Sequence, residues 1–191
     1  MNYFIFILVY LIGAFPSGKI AAILNGVDLT KNGSGNIGAT NVARTIGKKA
    51  GILVLLTDIL KGYLACMIAN NQNTQYLALA GLLAVCGHCF SIPGLLKGGK
   101  GVATSLGVIL FINPLAAAAG ILTFAIIFAI TKTVSLGSIL GCLAAALTCW
   151  AINPDNTAIY LSLIALIVIA RHHSNIRKLL RGEEPKFNAK R

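Results

Sequence analysis

The feature that most constrains the fold is a series of long apolar segments, which together make up most of the chain. The segment from Val134 to about Ile152 has no charged residue, and an α-helix of that length is long enough to cross a bilayer. With 57% hydrophobic and 11% charged residues, the chain has more apolar side chains than one small soluble core can bury. The sequence therefore predicts an all-α integral membrane protein that forms a single polytopic domain over residues 1–191.

Seven segments are predicted to be transmembrane helices. The first starts at Tyr3 and ends near Leu24; it has no positively charged start and no small-residue cleavage site, so we interpret it as a retained span. The others are Ala50–Ala69, Tyr76–Pro93, two short helices within Val102–Thr131, Val134–Ile152 and Thr157–Ala170.

The segment Val102–Thr131 allows two interpretations, because Asn113-Pro114 interrupts it. One long kinked helix would place Lys132 across the membrane from Lys100, whereas two short antiparallel helices would keep both lysines on one side. Lys and Arg collect in cytoplasmic loops, and this rule favours the hairpin. Short helices of this kind can end at a site within membrane depth, buried by their neighbours.

The charge distribution predicts the orientation of the chain. The net charge is +11, and seven spans place nearly all of the Lys and Arg residues on one face. We therefore expect the N-terminus outside and a basic tail, from about residue 171 to 191, in the cytoplasm. Lys61 lies inside a span, where Asp58 on the same helical face can pair with it. The positive face predicts lipid headgroups and phosphorylated substrates as partners, and no nucleic acid.

A polar, glycine-rich segment from Lys31 to Lys49 interrupts the apolar sequence. Its glycines allow tight turns that bring N–H groups onto one concavity, where they can hold an anion. A guanidinium such as that of Arg44 can bind phosphate through two hydrogen bonds. The segment is not a Walker A loop, because no Gly-Lys-Ser/Thr follows. Its candidate binding residues are Gly33, Ser34, Gly35, Asn36, Gly38, Thr40, Asn41 and Arg44.

Two further segments carry groups suited to phosphate. The sequence KGGKGVATS (Lys97–Ser105) leads into a helix that is expected to begin near Val102, so helix N–H groups and two lysines can meet an anion. Its candidates are Lys97, Gly98, Gly99, Lys100, Gly101 and Thr104. After the last span, a histidine and Asn175 share a helical face. Ser138 lies at the cytoplasmic end of the sixth span, where a serine more often bonds a backbone carbonyl.

The sequence has no pattern typical of a metal site or of a nucleophile activated by a base. None of the acids forms a cluster with histidine, and the five cysteines are interpreted as small buried hydrophobes. We therefore predict no metal and no cofactor. His88, towards the cytoplasmic end of the third span, is interpreted as structural, and a role as a base stays open.

These segments resemble the membrane acyl-phosphate:glycerol-3-phosphate acyltransferase family, PlsY. The matching motifs are GSGNIGATNVAR (Gly33–Arg44), KGGKGVAT (Lys97–Thr104) and HHSNIRKLLRGEE (His172–Glu184), with DILKG (Asp58–Gly62) and GH (Gly87, His88) between them. The resemblance covers nearly the whole chain, and its seven-helix, N-outside pattern agrees with the one predicted above. The segment PSGKIAA departs from it, since relatives often carry an uncharged or acidic residue where this chain has Lys19.

The resemblance implies a reaction: transfer of a fatty acyl group from acyl phosphate to the sn-1 hydroxyl of sn-glycerol 3-phosphate, the first acylation of bacterial phospholipid synthesis. The products would be 1-acylglycerol 3-phosphate (lysophosphatidic acid) and phosphate, made at the bacterial cytoplasmic (inner) membrane. The implied glycerol-3-phosphate loop is that of Gly98, Gly99 and Gly101. The implied catalytic residues are Ser34, Arg44, Lys100, Ser138, His172, Asn175 and Glu183.

Because the site lacks an obvious strong base, we expect electrostatic stabilisation of the leaving phosphate, with the hydroxyl proton passing to a substrate phosphate oxygen. His88 is the remaining candidate for a side-chain base. A transporter for a phosphorylated solute is the alternative function, and a metal-dependent phosphatidyl transferase would need helix carboxylates that this sequence lacks. We expect the protein to function as a monomer, and the basic tail is a candidate docking site for the acyl-phosphate-forming enzyme.

Overall fold

The prediction of an all-α fold is confirmed by a computed structural model, which describes residues 4–71, 76–90 and 98–187. Over these residues the chain forms ten α-helices and no β-strand. The helices are α1 Phe4–Ala14, α2 Ser17–Leu24, α3 Ala39–Thr45, α4 Lys48–Asn70, α5 Leu77–Phe90, α6 Val102–Ile112, α7 Pro114–Thr131, α8 Val134–Ile152, α9 Asn156–Arg171 and α10 His173–Leu180.

Several of these helices are long and apolar enough to cross a membrane. Among the described residues, four segments meet this description: α1 with α2, α4, α7 and α8. A fifth is obtained if α9 and α10, which are bent by 61° at their junction, are counted together. The apolar helices α5 and α6 are shorter. The structure thus shows several candidate spans, and the number seven stays a prediction.

The segment around Asn113 forms two helices rather than one. The Asn113 side chain accepts a hydrogen bond from the Ala116 N–H at 3.0 Å, which caps α7. Pro114 occupies the first position of α7, where its missing N–H costs no helical hydrogen bond. A sequence that ends one helix also begins the next.

The contacts show that α6 and α7 run in opposite directions. Val102, at the start of α6, packs in a cluster with Cys142 of α8, and Ile109, near its end, packs with Cys149. Helix α6 is therefore parallel to α8. Helix α7 packs along α8 and is joined to it by only Lys132 and Thr133, so these two are antiparallel. This arrangement agrees with the hairpin interpretation and places Lys132 on the same side as the start of α6.

Small residues let the helices of the core approach closely. A Cβ atom added to Gly62 of α4 would overlap the carbonyl oxygen of Thr104 in α6, and one added to Gly107 of α6 would overlap the carbonyl of Ile59. Alanine, valine and cysteine make up most of two buried clusters among α1, α4, α5, α6 and α9. Such close backbone contacts are typical of membrane helices, which gain little from the hydrophobic effect and rely on packing.

Candidate active site

The first glycine-rich segment folds around the side chain of Asn41. This residue is 1% exposed, and its Nδ2 donates to the carbonyl oxygens of Leu29, Asn32 and Asn36 at 2.8–3.2 Å. Its Oδ1 accepts a hydrogen bond from the N–H of Ser34 at 2.8 Å. Asn41 was predicted to be a phosphate ligand. In the structure its polar atoms form hydrogen bonds within the loop and stabilise the loop's shape.

The glycines on either side of Ser34 give the loop its turn. Gly33 and Gly35 have φ values of 61° and 72°, in the left-handed region that side chains rarely adopt. Asn36, Gly38 and Thr40, the other predicted ligands of the segment, are half-buried, and the carbonyl of Gly38 accepts the first hydrogen bonds of α3. Ser34 is exposed between the two glycines. The loop therefore presents Ser34 rather than Asn41.

Arg44 is directed towards the segment that follows α10. It lies in the last turn of α3, and its Nη2 donates to the carbonyl of Pro185 at 3.3 Å. The guanidinium carbon is 5.7 Å from the centre of the Phe187 ring, and the N–H of Phe187 bonds the carbonyl of Lys132. Residues 182–187 therefore fold back between the first motif and the α7–α8 turn.

The second glycine-rich segment lies between α5 and α9. The N–H of Gly99 donates to the carbonyl of His88, and Arg171 donates from the other side to the carbonyls of Gly98 and Gly99 at 3.0 and 3.1 Å. Gly101 follows with φ 87° and precedes α6. Lys97, predicted to join this site, lies outside the described residues.

Thr104, another predicted ligand, is placed away from the solvent. Its side chain is 0% exposed in the first turns of α6, and its Oγ1 has no hydrogen-bond partner among the described residues. Its carbonyl packs against Gly62 of α4. The sequence motif continues into the helix, but the helical rotation turns this residue into the core rather than towards a ligand.

A chain of hydrogen bonds links the second motif to the third. Lys100 Nζ donates to Asn175 Oδ1 at 2.5 Å, and Asn175 Nδ2 donates to Glu184 Oε1 at 2.6 Å. The same Glu184 oxygen accepts a bond from Ser135 Oγ at 2.7 Å. Burial lowers the pKa of Lys100 to about 8, against the opposing effect of the Glu184 carboxylate. Lys100 is therefore a preorganised cation that is held in place by the third motif.

Glu184 bonds Asn175 and Ser135, whereas the resemblance implied a role for its neighbour Glu183. Glu183 is exposed, and only its neighbour reaches Asn175 and Ser135. Gly182, with φ 69°, turns the chain after α10, directly before these two acids.

Ser138 and His172 are buried and bonded to their own helices. Ser138 Oγ donates to the carbonyl of Val134 at 2.8 Å, which is a common hydrogen bond for a serine in a membrane helix. His172 is 2% exposed, and its Nδ1 is 2.7 Å from the carbonyl of Val168, which makes Nδ1 the protonated nitrogen. These two predicted catalytic residues are not in the lining of the pocket described next.

One pocket of about 520 Å³ brings residues of all three motifs together. Its lining includes Ser34, Gly35 and Asn36 of the first motif, Gly98 and Lys100 of the second, and Arg171, Asn175 and Lys178 around the third. Three of these side chains are cationic and none is acidic. No group of three His, Cys, Asp or Glu side chains suited to a metal occurs among the described residues. The charge of this lining is suited to an anion such as a phosphate.

His88, the candidate side-chain base, has its Nδ1 only 2.8 Å from the ammonium nitrogen of Lys61. The predicted Lys61–Asp58 pair is present, at 2.8 Å, and both side chains are buried. An ammonium group has hydrogens to donate and no lone pair, so His88 Nδ1 accepts. The imidazole therefore has no free lone pair with which to take a proton from a substrate.

Comparison with known proteins connects this chain to one family. The family model described as "Glycerol-3-phosphate acyltransferase" matches residues 3–182. Curated relatives called glycerol-3-phosphate acyltransferase include those of Trichlorobacter lovleyi, with 44% identity over 184 residues, and Bacillus subtilis, with 43% over 182 residues. Each alignment covers 94% of this chain and 94% of the relative.

Two solved structures are similar over almost the whole fold. Both are crystal structures of PlsY (YgiH), an integral membrane glycerol 3-phosphate acyltransferase, one in the glycerol 3-phosphate form and one in the lysophosphatidic acid form. They share 39% sequence identity with this chain, with TM-scores of 0.92 and 0.89, and cover 97% of it and 94% of their own length. By its matched sequence and its structure, the chain belongs to the glycerol-3-phosphate acyltransferase family.

Proposed function

We propose that this protein transfers a fatty acyl group from acyl phosphate to the sn-1 hydroxyl of sn-glycerol 3-phosphate. The products are 1-acylglycerol 3-phosphate and inorganic phosphate. The observation that carries this proposal is the convergence of three separate motifs on one cationic pocket. The named substrate and product forms of the PlsY structures support the same acceptor and product.

In this reaction the acceptor oxygen forms a bond to the acyl carbon, and the bond from that carbon to the phosphate oxygen breaks. Acyl phosphate is a mixed anhydride, so phosphate leaves readily once its charge is stabilised. Lys100, Arg171 and Lys178 supply positive charge around the pocket. Ser34 supplies a hydroxyl donor for the phosphate groups.

The proton of the acceptor hydroxyl passes to a phosphate oxygen of a substrate. This route is favoured because the pocket lining contains no carboxylate and because His88 is engaged with Lys61, and His173 in the lining is the side-chain alternative. Glu184 accepts hydrogen bonds from Ser135 and Asn175, so its role is to hold the third motif against Lys100. Arg44 fixes residues 185–187 beside the pocket and is available to a phosphate that enters there.

The membrane arrangement completes the proposal. A single polytopic domain with seven spans, the N-terminus outside and the basic tail in the cytoplasm of a bacterium places the pocket at the inner face of the inner membrane. The antiparallel α6–α7 pair supports this topology, because it puts Lys100 and Lys132 on one side. Bilayer lipids surround the exposed apolar helix faces, the enzyme acts as a monomer, and the basic tail is a docking site for the acyl-phosphate-forming enzyme.

The transporter alternative has less support, because the cationic groups surround one pocket instead of following a path across the membrane. The deciding experiment uses purified protein in detergent, where no gradient exists. Palmitoyl phosphate and glycerol 3-phosphate are added with a chelator, and lysophosphatidic acid and phosphate are measured. We expect both products in equal amounts, and a large loss in Arg44→Ala but not in Lys19→Ala. Binding of glycerol 3-phosphate without any product would refute the proposed reaction.

A further inference from the structure

We propose that His88 is a positioning residue for the second glycine-rich segment, with its ring tautomer set by the buried Lys61–Asp58 pair. Its catalytic consequence rests on the proposed function, because the segment that it supports carries the phosphate-binding Lys100. The contacts themselves do not depend on that function. They involve a group of four side chains, Ser17, Asp58, Lys61 and His88, which we call the buried charge cluster.

The buried charge cluster joins three parts of the fold. Asp58 of α4 accepts hydrogen bonds from Ser17 Oγ at 2.7 Å and from Lys61 Nζ at 2.8 Å. Lys61 also donates to the carbonyl of Phe15 at 3.0 Å and to His88 Nδ1 at 2.8 Å. Pro16 lies at the break between α1 and α2, and the Phe15 carbonyl at this break accepts hydrogen bonds from the N–H of Ser17 and from Lys61.

All four side chains of this cluster are at most 9% exposed. Burying a charged pair is costly, and such a pair by itself is weak evidence of stabilisation. Lys61 nevertheless has three acceptors for its three hydrogens, so each hydrogen of the ammonium is used. None of these groups lines the anion pocket, and the proposed acyl transfer gives the cluster no direct role.

The contact with Lys61 determines which ring nitrogen of His88 carries the proton. Because the ammonium can only donate, Nδ1 accepts, and a neutral imidazole then has its hydrogen on Nε2. That nitrogen faces the glycine-rich segment: a Cβ atom added to Gly99 would overlap Nε2 and would come within 2.9 Å of Cε1. The ring is thus seated directly against the backbone at Gly99.

The same part of the segment is held on its other side by α9. Arg171 donates to the carbonyls of Gly98 and Gly99, while the N–H of Gly99 donates to the carbonyl of His88 at 3.0 Å. Lys100 is the next residue, and it reaches Asn175 in the pocket. The His88 ring therefore fills the space beside Gly99 and helps to fix the backbone from which the Lys100 side chain extends.

Two substitutions of His88 separate the role of Nδ1, which contacts Lys61, from the role of Nε2, which contacts Gly99. His88→Asn keeps an amide oxygen near the position of Nδ1, so Lys61 retains a partner, but it removes the atoms that support Gly99. His88→Gln places an amide near the position of Nε2 and restores part of that support. Cys86→Ala, on the same helix and outside the cluster, is the matched control.

We expect His88→Asn to raise the KM for glycerol 3-phosphate by up to about a hundredfold, the size of the loss that a misplacement of about 1 Å can cause. The kcat should change less, and His88→Gln should recover part of the loss. A folded His88→Asn protein whose KM and kcat both stay within about twofold of the parent would overturn the proposal.

Nitrogen-15 spectra of the histidine side chains provide a second readout in the unmodified protein. The proposal requires the Nε2–H tautomer of His88, and an Nδ1–H tautomer would overturn it even if His88→Asn does not fold. This readout also separates the two proposals. Failure of the unmodified protein to make lysophosphatidic acid would refute the acyltransferase reaction, whereas the tautomer and the calorimetric affinity of His88→Asn for glycerol 3-phosphate would still test the positioning role.

Discussion

The low pKa of Lys100 predicts that substrate capture weakens as the pH rises. With a pKa of about 8, about nine in ten Lys100 side chains are charged at pH 7, and about one in ten at pH 9. The quantity that reports this ionisation is kcat/KM for glycerol 3-phosphate, which reflects groups of the free enzyme. We expect it to fall about tenfold between the plateau and pH 9, with a midpoint near pH 8.

Stability should change in the opposite direction over a neighbouring range of pH. The folded pKa of Lys100 is lower than its ordinary value of 10.5, so the unfolded chain binds more protons between these two values. The free energy of unfolding therefore rises with pH from about 8 to 10.5, by at most roughly 3 kcal/mol from this group. Alkaline loss of activity through Lys100 is thus not a loss of fold.

The assay follows initial phosphate release at saturating acyl phosphate from pH 6.5 to 9.5, with the rate of spontaneous hydrolysis subtracted at each pH. Lys100→Arg is the matched variant, because a guanidinium stays charged throughout this range. Its profile should be flat through pH 9, whatever its absolute rate. A flat profile in the parent enzyme, or the same decline in Lys100→Arg, would refute the assignment of this ionisation to Lys100.

Three further substitutions test separate parts of the site. Glu184→Gln should shift the midpoint of the kcat/KM profile to lower pH, because it removes the carboxylate that raises the pKa of Lys100 against the effect of burial. Glu183→Gln should leave the profile unchanged. Arg44→Lys should lower kcat/KM on the order of a hundredfold, because a lysine cannot reproduce the planar, two-pronged donor; retention of activity would show that only charge is required. Gly101→Ala should lower the Tm more than Gly26→Ala, because both positions have positive φ but only Gly101 also has a sulfur 2.8 Å from the added Cβ. Equal shifts in the two glycine variants would mean that backbone strain alone decides the loss.

The predictions that held rested on strong local signals. Apolar length predicted the membrane helices, and Asn113-Pro114 marked the boundary between α6 and α7, where a cap and a first-turn proline both have a physical use. The pairing of Asp58 with Lys61 followed from helical spacing and from the cost of leaving a charge unpaired in such a segment. In each case a few neighbouring residues contain all the necessary information.

The roles of individual polar residues depended on contacts that the sequence does not display. Asn41 belongs to a glycine-rich motif, yet it serves the loop itself, because three carbonyls converge on its amide. Thr104 shares a motif with Lys100 but is rotated into the core by the first turns of α6. The engagement of His88 by Lys61 joins two helices, so no local pattern predicts it. The predicted partners, topology and catalytic roles stay predictions.

Residues 184–187 also bear on the stage of synthesis at which the contacts around the pocket can be completed. They provide the contacts to Asn175, Ser135, Arg44 and Lys132, and they follow every membrane helix in the sequence. During synthesis all of the helices are therefore made before the segment that joins the first motif to the third. A nascent chain that has passed α10 but not residue 187 has its membrane helices without these contacts, so we expect insertion into the bilayer to precede the onset of activity.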